Sequence, residues 1–186
     1  MKKLIVMSAA VLLYSSLFAQ DNKKWFTRTG QISFFSKTTA ENIDAKNNEV
    51  FSLIDAEKGE VAFQVLVTGF KFTKALMEEH FNENYLESTK FPKAVFKGTI
   101  ADLSKVNFAN DGSYLVDIIG DLTIHGVTNQ VKLPATIIVK NGKVNAETKF
   151  TVKLDDYKIK VPNLVANQIS ETVDVAVNCN YDPYKS

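Results

Sequence analysis

Few side chains in this sequence are placed for catalysis or for metal binding. The two histidines, His80 and His125, lie far apart and form neither an HxH nor an HExxH pattern, whereas a metal site needs three or four converging ligands. No GxSxG nucleophile elbow and no glycine-rich phosphate loop is present. The carboxylates are spread over polar positions and turns, so no pair stands out as a general acid and base. We therefore predict that the protein is not an enzyme and carries no metal or cofactor.

The single cysteine, Cys179, excludes a disulfide within the chain. It follows Val175 and Val177 on the apolar positions of an alternating segment. Free cysteines are among the most buried residues, and no cationic neighbour in the sequence would activate this thiol. We expect a buried, unreactive side chain.

Arg28 is the only arginine, and it shares an alternating phase with Phe26, Ile32 and Phe34. If that phase faces inward, the guanidinium needs a partner, because burying an unpaired charge is costly. One interpretation is a contact with the anionic or polar head of a ligand, since a guanidinium fits phosphate or carboxylate. The other, which we favour, is a residue near the strand end that reaches water or pairs with a carboxylate.

Apolar and polar residues alternate with a period of two through most of the chain, which predicts β-strands. The pair Asn141-Gly142 lies between two such runs, where a hairpin turn needs positive φ. About eight strands in regular succession predict a sandwich or a closed barrel, and closure would remove the edge strands. The predicted strands span residues 26–36, 47–53, 61–67, 93–103, 114–124, 131–139, 144–154 and 171–181.

Residues 73–81 break the alternation and predict one short helix, with Thr73 as its N-cap. Such a helix is too short to be stable alone, so we expect it to pack over the barrel mouth or within a long loop. Its predicted apolar face consists of Leu76, Met77, His80 and Phe81.

The first 19 residues have the pattern of a secretory signal peptide. Lys2 and Lys3 precede an apolar run at 4–17, and Ala19 supplies the small residue before the cleavage site. The run is short for a membrane span of about 20 residues, and no lipoprotein cysteine follows it. We predict a signal peptide at 1–19 and one exported, periplasmic domain at 20–186, without stable membrane insertion after cleavage. An uncleaved N-terminal anchor is the alternative.

Composition and charge narrow the class of partner. The formal net charge is +1 at pH 7, and 45% of the residues are hydrophobic. The composition is ordinary for a globular protein. A nucleic-acid surface needs a basic excess, so we predict no nucleic-acid partner.

Several motifs together resemble the YceI-like family of secreted bacterial proteins. The most specific is GDLTIHGVT at 120–128, followed by VKLP at 131–134. MEEHF at 77–81 precedes FPKAVF at 91–96, and DYKI at 156–159 follows a later strand. The order of these motifs along the chain is also similar to that of the family.

The resemblance implies an all-β, extended, antiparallel lipocalin-like barrel of about eight strands with one short inserted helix and a hydrophobic tunnel. It also implies binding of polyisoprenoids, isoprenoid quinones or other long-chain lipids, without enzymatic activity. The family often has an arginine where this chain has Lys153, so no head-group contact is carried over from relatives. The oligomeric state stays open between a monomer and a homodimer.

Sequence pattern and resemblance together predict a barrel that holds a long apolar chain, with the helix as a lid or a wall. An eight-stranded barrel is at the size where side chains just fill the interior or leave room for one ligand, and alternation does not separate the two cases. The candidate ligand-binding residues are Arg28, Phe34, Phe63, Met77, Phe81, Phe96, Val116, Ile118, Phe150, Val152, Val175 and Val177.

Three alternatives remain. The first is an exported structural or partner-binding barrel with a solid core and no lipid. The second is an outer-membrane barrel whose apolar face points outward, which the inserted helix and the absence of a final aromatic residue disfavour. An enzyme is the weakest alternative.

Overall fold

Long antiparallel strands make up most of the protein in the computed structural model, which describes residues 24–37, 42–161 and 170–184. The predicted signal peptide at 1–19 lies outside the described residues. One α-helix, α1 (Ala75–His80), continues into a π-helical turn at Phe81–Tyr85. The strands are β1 (Lys24–Ser36), β2 (Ile43–Asp55), β3 (Glu60–Leu66), β4 (Lys71–Phe72), β5 (Lys93–Ile100), β6 (Gly112–Ile124), β7 (Val127–Lys140), β8 (Lys143–Lys153) and β9 (Thr172–Pro183).

Eight of these strands form a closed barrel in the order β1-β9-β8-β7-β6-β5-β3-β2, and a further pairing of β1 with β2 completes the circle. All the pairings are antiparallel. The two-residue β4 adds to β2. Closure gives each long strand two neighbours, which removes unpaired edges. The predicted antiparallel barrel with one short inserted helix is confirmed.

Two tight hairpins join β6 to β7 and β7 to β8. Asn141 and Gly142 have φ of 52° and 72°, and His125 and Gly126 have φ of 51° and 72°. Positive φ at both central residues matches the twist of the flanking strands, and asparagine and glycine adopt it readily. The turn predicted at Asn141-Gly142 is therefore confirmed, and His125 lies in a turn of the same kind.

A β-bulge in β1 reverses the phase on which its side chains face inward. Thr27 pairs with Ser52 and Gly30 pairs with Val50, so Arg28 and the residue after it oppose a single residue of β2. An extra residue in one strand shifts all later side chains to the other phase. Arg28 therefore does not share the inward phase of Ile32 and Phe34. Its side chain is exposed, which agrees with the favoured interpretation that it reaches water and not with the ligand contact.

The predicted helix is present but begins one residue later than expected. Its N-cap is Lys74, which makes no side-chain capping bond, so the prediction that Thr73 caps the helix is wrong. The helix is attached to β4 by an ion pair of 2.6 Å between Lys71 Nζ and Glu78 Oε1. Leu76 does not face the barrel, since it is 61% exposed.

No helix in the described ranges has the length and apolar character needed to cross a bilayer.

Candidate functional site

A cavity of about 520 Å³ occupies the part of the barrel interior nearest α1. This volume is typical of a small-molecule site, for which about 300–1,000 Å³ is usual. All eight barrel strands contribute to its wall, as do α1 and the π-helical turn. Among the residues predicted from the sequence, those that line the cavity are Phe34, Phe63, Met77, Phe81, Phe96, Ile118, Phe150, Val152, Val175 and Val177.

Two predicted residues do not line this cavity. Arg28 lies on the outside of the barrel, next to the buried Thr27, because the inward phase moves to Ile32 and Phe34 only after the bulge in β1. Val116 faces inward and is 6% exposed, but it lies beyond the end of the cavity. Alternation identified Val116 as inward-facing correctly and carried no information on how far along the barrel the free space extends.

The opposite end of the barrel is filled. Buried side chains near the β2–β3 and β7–β8 turns pack against one another and do not contribute to the cavity wall. Trp25 closes this end, and its ring stacks on Phe108 with 5.2 Å between centroids. The barrel is therefore hollow in one part and solid in the other. The filling side chains include Trp25, Ile54, Ile100, Val116, Ile137, Val139 and Val144.

Four phenylalanines attach the helical segment to the mouth of the cavity. The Phe81 ring lies 5.4 Å from Phe34, 5.6 Å from Phe70 and 5.0 Å from Phe72, measured between centroids. Tilted and offset ring pairs at such distances are favourable beyond the area they bury. Met77, like Phe81, lines the cavity. The segment thus forms one wall of the mouth, which is one of the two roles that the sequence analysis left open for it.

His125, in the turn between β6 and β7, contacts the segment before β5 and the turn after β8 at the end of the barrel nearest α1. Its Nε2 lies 2.8 Å from Glu87 Oε2, and its Nδ1 lies 3.2 Å from the carbonyl oxygen of Tyr157. The Phe91 ring meets the imidazole at 4.6 Å in a T-shaped contact. The His125 side chain is only 11% exposed. The sequence analysis did not identify these partners of His125, because Glu87 and Tyr157 are 38 and 32 residues away along the chain.

The polar groups deep in the cavity are mostly paired with one another. Ser52 Oγ donates to the carbonyl oxygen of Ala62 at 2.8 Å, so the Tyr181 hydroxyl, also at 2.8 Å, donates to Ser52. Burial raises the pKa of Tyr181 above its ordinary value, and it raises the pKa of the Cys179 thiol to about 11. At neutral pH both groups are uncharged, and Cys179 has the inert character expected of a buried thiol.

The cavity wall is almost free of charge. Within the described residues, no lysine, arginine or aspartate lines it. Glu147, at its edge, is exposed and accepts a hydrogen bond from Asn178 Nδ2 at 2.8 Å, while His80 is an exposed residue of the helix. No group of three histidine, cysteine or acidic side chains in the described part of the chain is placed to hold a metal ion. Such a wall favours an apolar ligand over an ion.

Comparison with known proteins gives one family. The model of the YceI-like domain matches residues 20–181. A Shigella flexneri protein named YceI is 32% identical over 101 residues, which cover 51% of this chain and 47% of that protein. The chain thus matches about half the length of this curated relative.

Two solved structures share the fold. A polyisoprenoid-binding domain from Saccharophagus degradans, implicated in plant cell wall breakdown, superposes with a TM-score of 0.76 at 18% identity, covering 87% of this chain and 99% of that one. BcnA from Burkholderia cenocepacia superposes with a TM-score of 0.67 at 15% identity, covering 82% and 96%. At these identities the likeness establishes the barrel architecture.

Proposed function

The chain belongs to the family of YceI-like domains, and we propose that it is a binding protein that holds a long-chain amphiphile in its barrel. The ligand class is a polyisoprenoid, an isoprenoid quinone or a fatty-chain lipid. The observation that carries the proposal is the cavity of about 520 Å³, whose wall is almost entirely apolar. Burying chain methylenes there supplies about 0.8 kcal/mol for each CH₂, less the cost of ordering a flexible chain.

The Saccharophagus degradans domain supports the same ligand class, because it is described as polyisoprenoid-binding and has a similar barrel. Binding rather than catalysis also agrees with the chemistry of the wall, where the buried Tyr181 and Cys179 are held in their neutral forms. The match to the family begins at residue 20, directly after the predicted signal peptide at 1–19. We propose export to the periplasm on that basis.

Blocking the cavity tests the proposal. Val152 is 7% exposed and lines the cavity, whereas its neighbour Thr151 is exposed on the outer face of β8. We expect Val152→Trp to fill free space with its indole, to fold, and to lose the bound lipid. Thr151→Trp is the matched control, which adds the same ring outside the barrel and should retain the lipid.

The measurement is mass spectrometry of organic extracts from each protein, purified from the periplasm without detergent, with native mass spectra for stoichiometry. A stoichiometric isoprenoid or fatty-chain species in the wild type and the control, and its absence from Val152→Trp, would support the proposal. A wild-type protein that carries no lipid and refuses added prenyl and acyl lipids would refute it. A solid barrel with a protein partner would then be the better interpretation.

A further inference from the structure

Ser36 places an unpaired hydroxyl in the wall of the cavity. The residue is 3% exposed, lines the cavity, and its Oγ has no hydrogen-bond partner among the described residues. Buried polar side chains are normally paired, and leaving one unpaired costs about 1–3 kcal/mol. Ser36 differs in this respect from Ser52, whose hydroxyl is fully used inside the protein.

The position of Ser36 is the mouth of the cavity. It is the last residue of β1 and pairs with Ile43 of β2. It lies two residues beyond Phe34, whose ring contacts Phe81 at the end of the helix. The opposite end of the barrel is filled around Trp25. An amphiphile whose chain enters this barrel therefore leaves its head at the end where Ser36 lies.

The residues around Ser36 favour an uncharged head group on the ligand. Ile43, which pairs with Ser36, and Val173, which adjoins the Asp174 that pairs with Phe35, are apolar residues of the cavity wall. The nearby charged residues Lys37 and Asp44 are exposed and do not line the cavity. A phosphate or carboxylate at this position would lose its water without gaining a counter-charge, whereas an uncharged oxygen needs one hydrogen bond.

We propose that Ser36 Oγ forms a hydrogen bond with an uncharged oxygen, such as a hydroxyl, ester or carbonyl, at the head of the lipid. Ser36 is then the residue by which the cavity distinguishes a neutral polar-headed lipid from a hydrocarbon and from a phosphorylated lipid. This inference rests on the proposed function, since it concerns the head of the ligand whose chain fills the cavity.

The test compares three probes that share one C20 prenyl chain: geranylgeraniol, its hydrocarbon analogue and its monophosphate. Delipidated wild-type protein should bind the alcohol more tightly than the hydrocarbon by about three- to tenfold, as one hydrogen bond predicts. It should bind the alcohol at least about tenfold more tightly than the phosphate, because the phosphate is desolvated without compensation. Dissociation constants from fluorescence displacement give all three values.

Ser36→Ala should weaken binding of the alcohol to the level of the hydrocarbon and leave the hydrocarbon itself unchanged. Ser36→Thr, which keeps the hydroxyl, should retain the preference. Ser33→Ala is the matched control, because Ser33 is on the same strand and faces away from the cavity. Without ligand, Ser36→Ala should melt no lower than the wild type, since it removes an unpaired hydroxyl.

The outcomes separate this inference from the proposed function. Equal binding of alcohol and hydrocarbon by the wild type, or a preference that survives Ser36→Ala, would overturn the role of Ser36 while leaving the cavity as a lipid site. Tighter binding of the phosphate would overturn the neutral head, and a lower melting temperature for ligand-free Ser36→Ala would show that the hydroxyl serves the fold. Failure to bind any of the three probes would overturn the proposed function as well.

Discussion

Asp55 joins the start of β1 to the turn that follows β2. Its Oδ2 lies 3.3 Å from Lys24 Nζ, and its Oδ1 accepts hydrogen bonds from the backbone N–H groups of Glu57 at 3.1 Å and Lys58 at 3.2 Å. Burial alone would raise the pKa of Asp55, but these hydrogen bonds and the Lys24 ammonium outweigh it and hold the pKa below its ordinary value.

Because its pKa is lower in the folded state, ionised Asp55 adds to the free energy of unfolding at pH values above the unfolded-state pKa of about 3.9. This contribution is lost as the pH falls through the folded-state pKa. We expect Asp55→Asn to lower the free energy of unfolding at pH 7 by about 1–2 kcal/mol. The difference from the wild type should shrink below about pH 4. Urea unfolding of both proteins at pH 7 and at pH 3 measures this difference in unfolding free energy.

Asp44→Asn is the control for this prediction, since Asp44 is an exposed aspartate on the same strand. It should change stability little at either pH. A constant difference between wild type and Asp55→Asn from pH 7 to pH 3 would mean that the ionised carboxylate is not the source of the stabilisation.

Among the secondary-structure elements, α1 depends most on tertiary contacts. It is six residues long and has no side-chain cap, which is too short for helical stability in isolation. Phe81, at its C-cap, contacts Phe34, Phe70 and Phe72 through its ring. These ring contacts, together with the ion pair between Lys71 and Glu78, hold the segment at the mouth.

Phe81→Ala should therefore release the helical segment without unfolding the barrel. Three ring contacts contribute about 2 kcal/mol together, so the open population should rise at least about tenfold. Limited trypsin digestion, with the cleavage sites mapped by mass spectrometry, should show faster cutting at Lys74 and Lys90.

Leu76→Ala is the matched control, because Leu76 is on the same helix and 61% exposed. Its digestion rate should equal that of the wild type. Unchanged digestion of Phe81→Ala would show that other contacts hold the segment, and loss of strand signal in circular dichroism would show that the mouth and the barrel unfold together.

On the scale of the whole molecule, the barrel divides into a solid end and a hollow end, and the two should respond differently to the same substitution. Val144 is 2% exposed in the solid end, whereas Val177 is half-buried in the cavity wall. Truncation in a packed core costs the transfer free energy of the lost groups plus a cavity term, whereas a side chain beside existing free space loses fewer contacts.

We expect Val144→Ala to cost about 2–3 kcal/mol of unfolding free energy and Val177→Ala about 1 kcal/mol or less in the lipid-free protein. Urea unfolding of the two variants and the wild type measures both values. Equal large costs would indicate that the barrel is packed throughout, which would favour the partner-binding alternative over a lipid cavity.

The amino-acid sequence by itself determined the eight strands, the inserted helix and the family. Period-two alternation and turn pairs such as Asn141-Gly142 are local signals, because side-chain direction and backbone φ depend on near neighbours. The same local signal predicted most of the candidate residues that line the cavity, because Phe63, Phe150 and Val175 lie on alternating positions that face inward.

The tertiary structure alone decided which inward positions border free space and which are packed. The bulge that puts Arg28 and Phe34 on different faces of β1 depends on the register between β1 and β2. The hydrogen bond between Glu87 and His125 joins residues 38 positions apart in the chain. Val116 and Ile118 share one phase, yet only Ile118 lines the cavity. Register, distant pairing and packing depend on where the other strands lie, and alternation within a single strand carries no information about them.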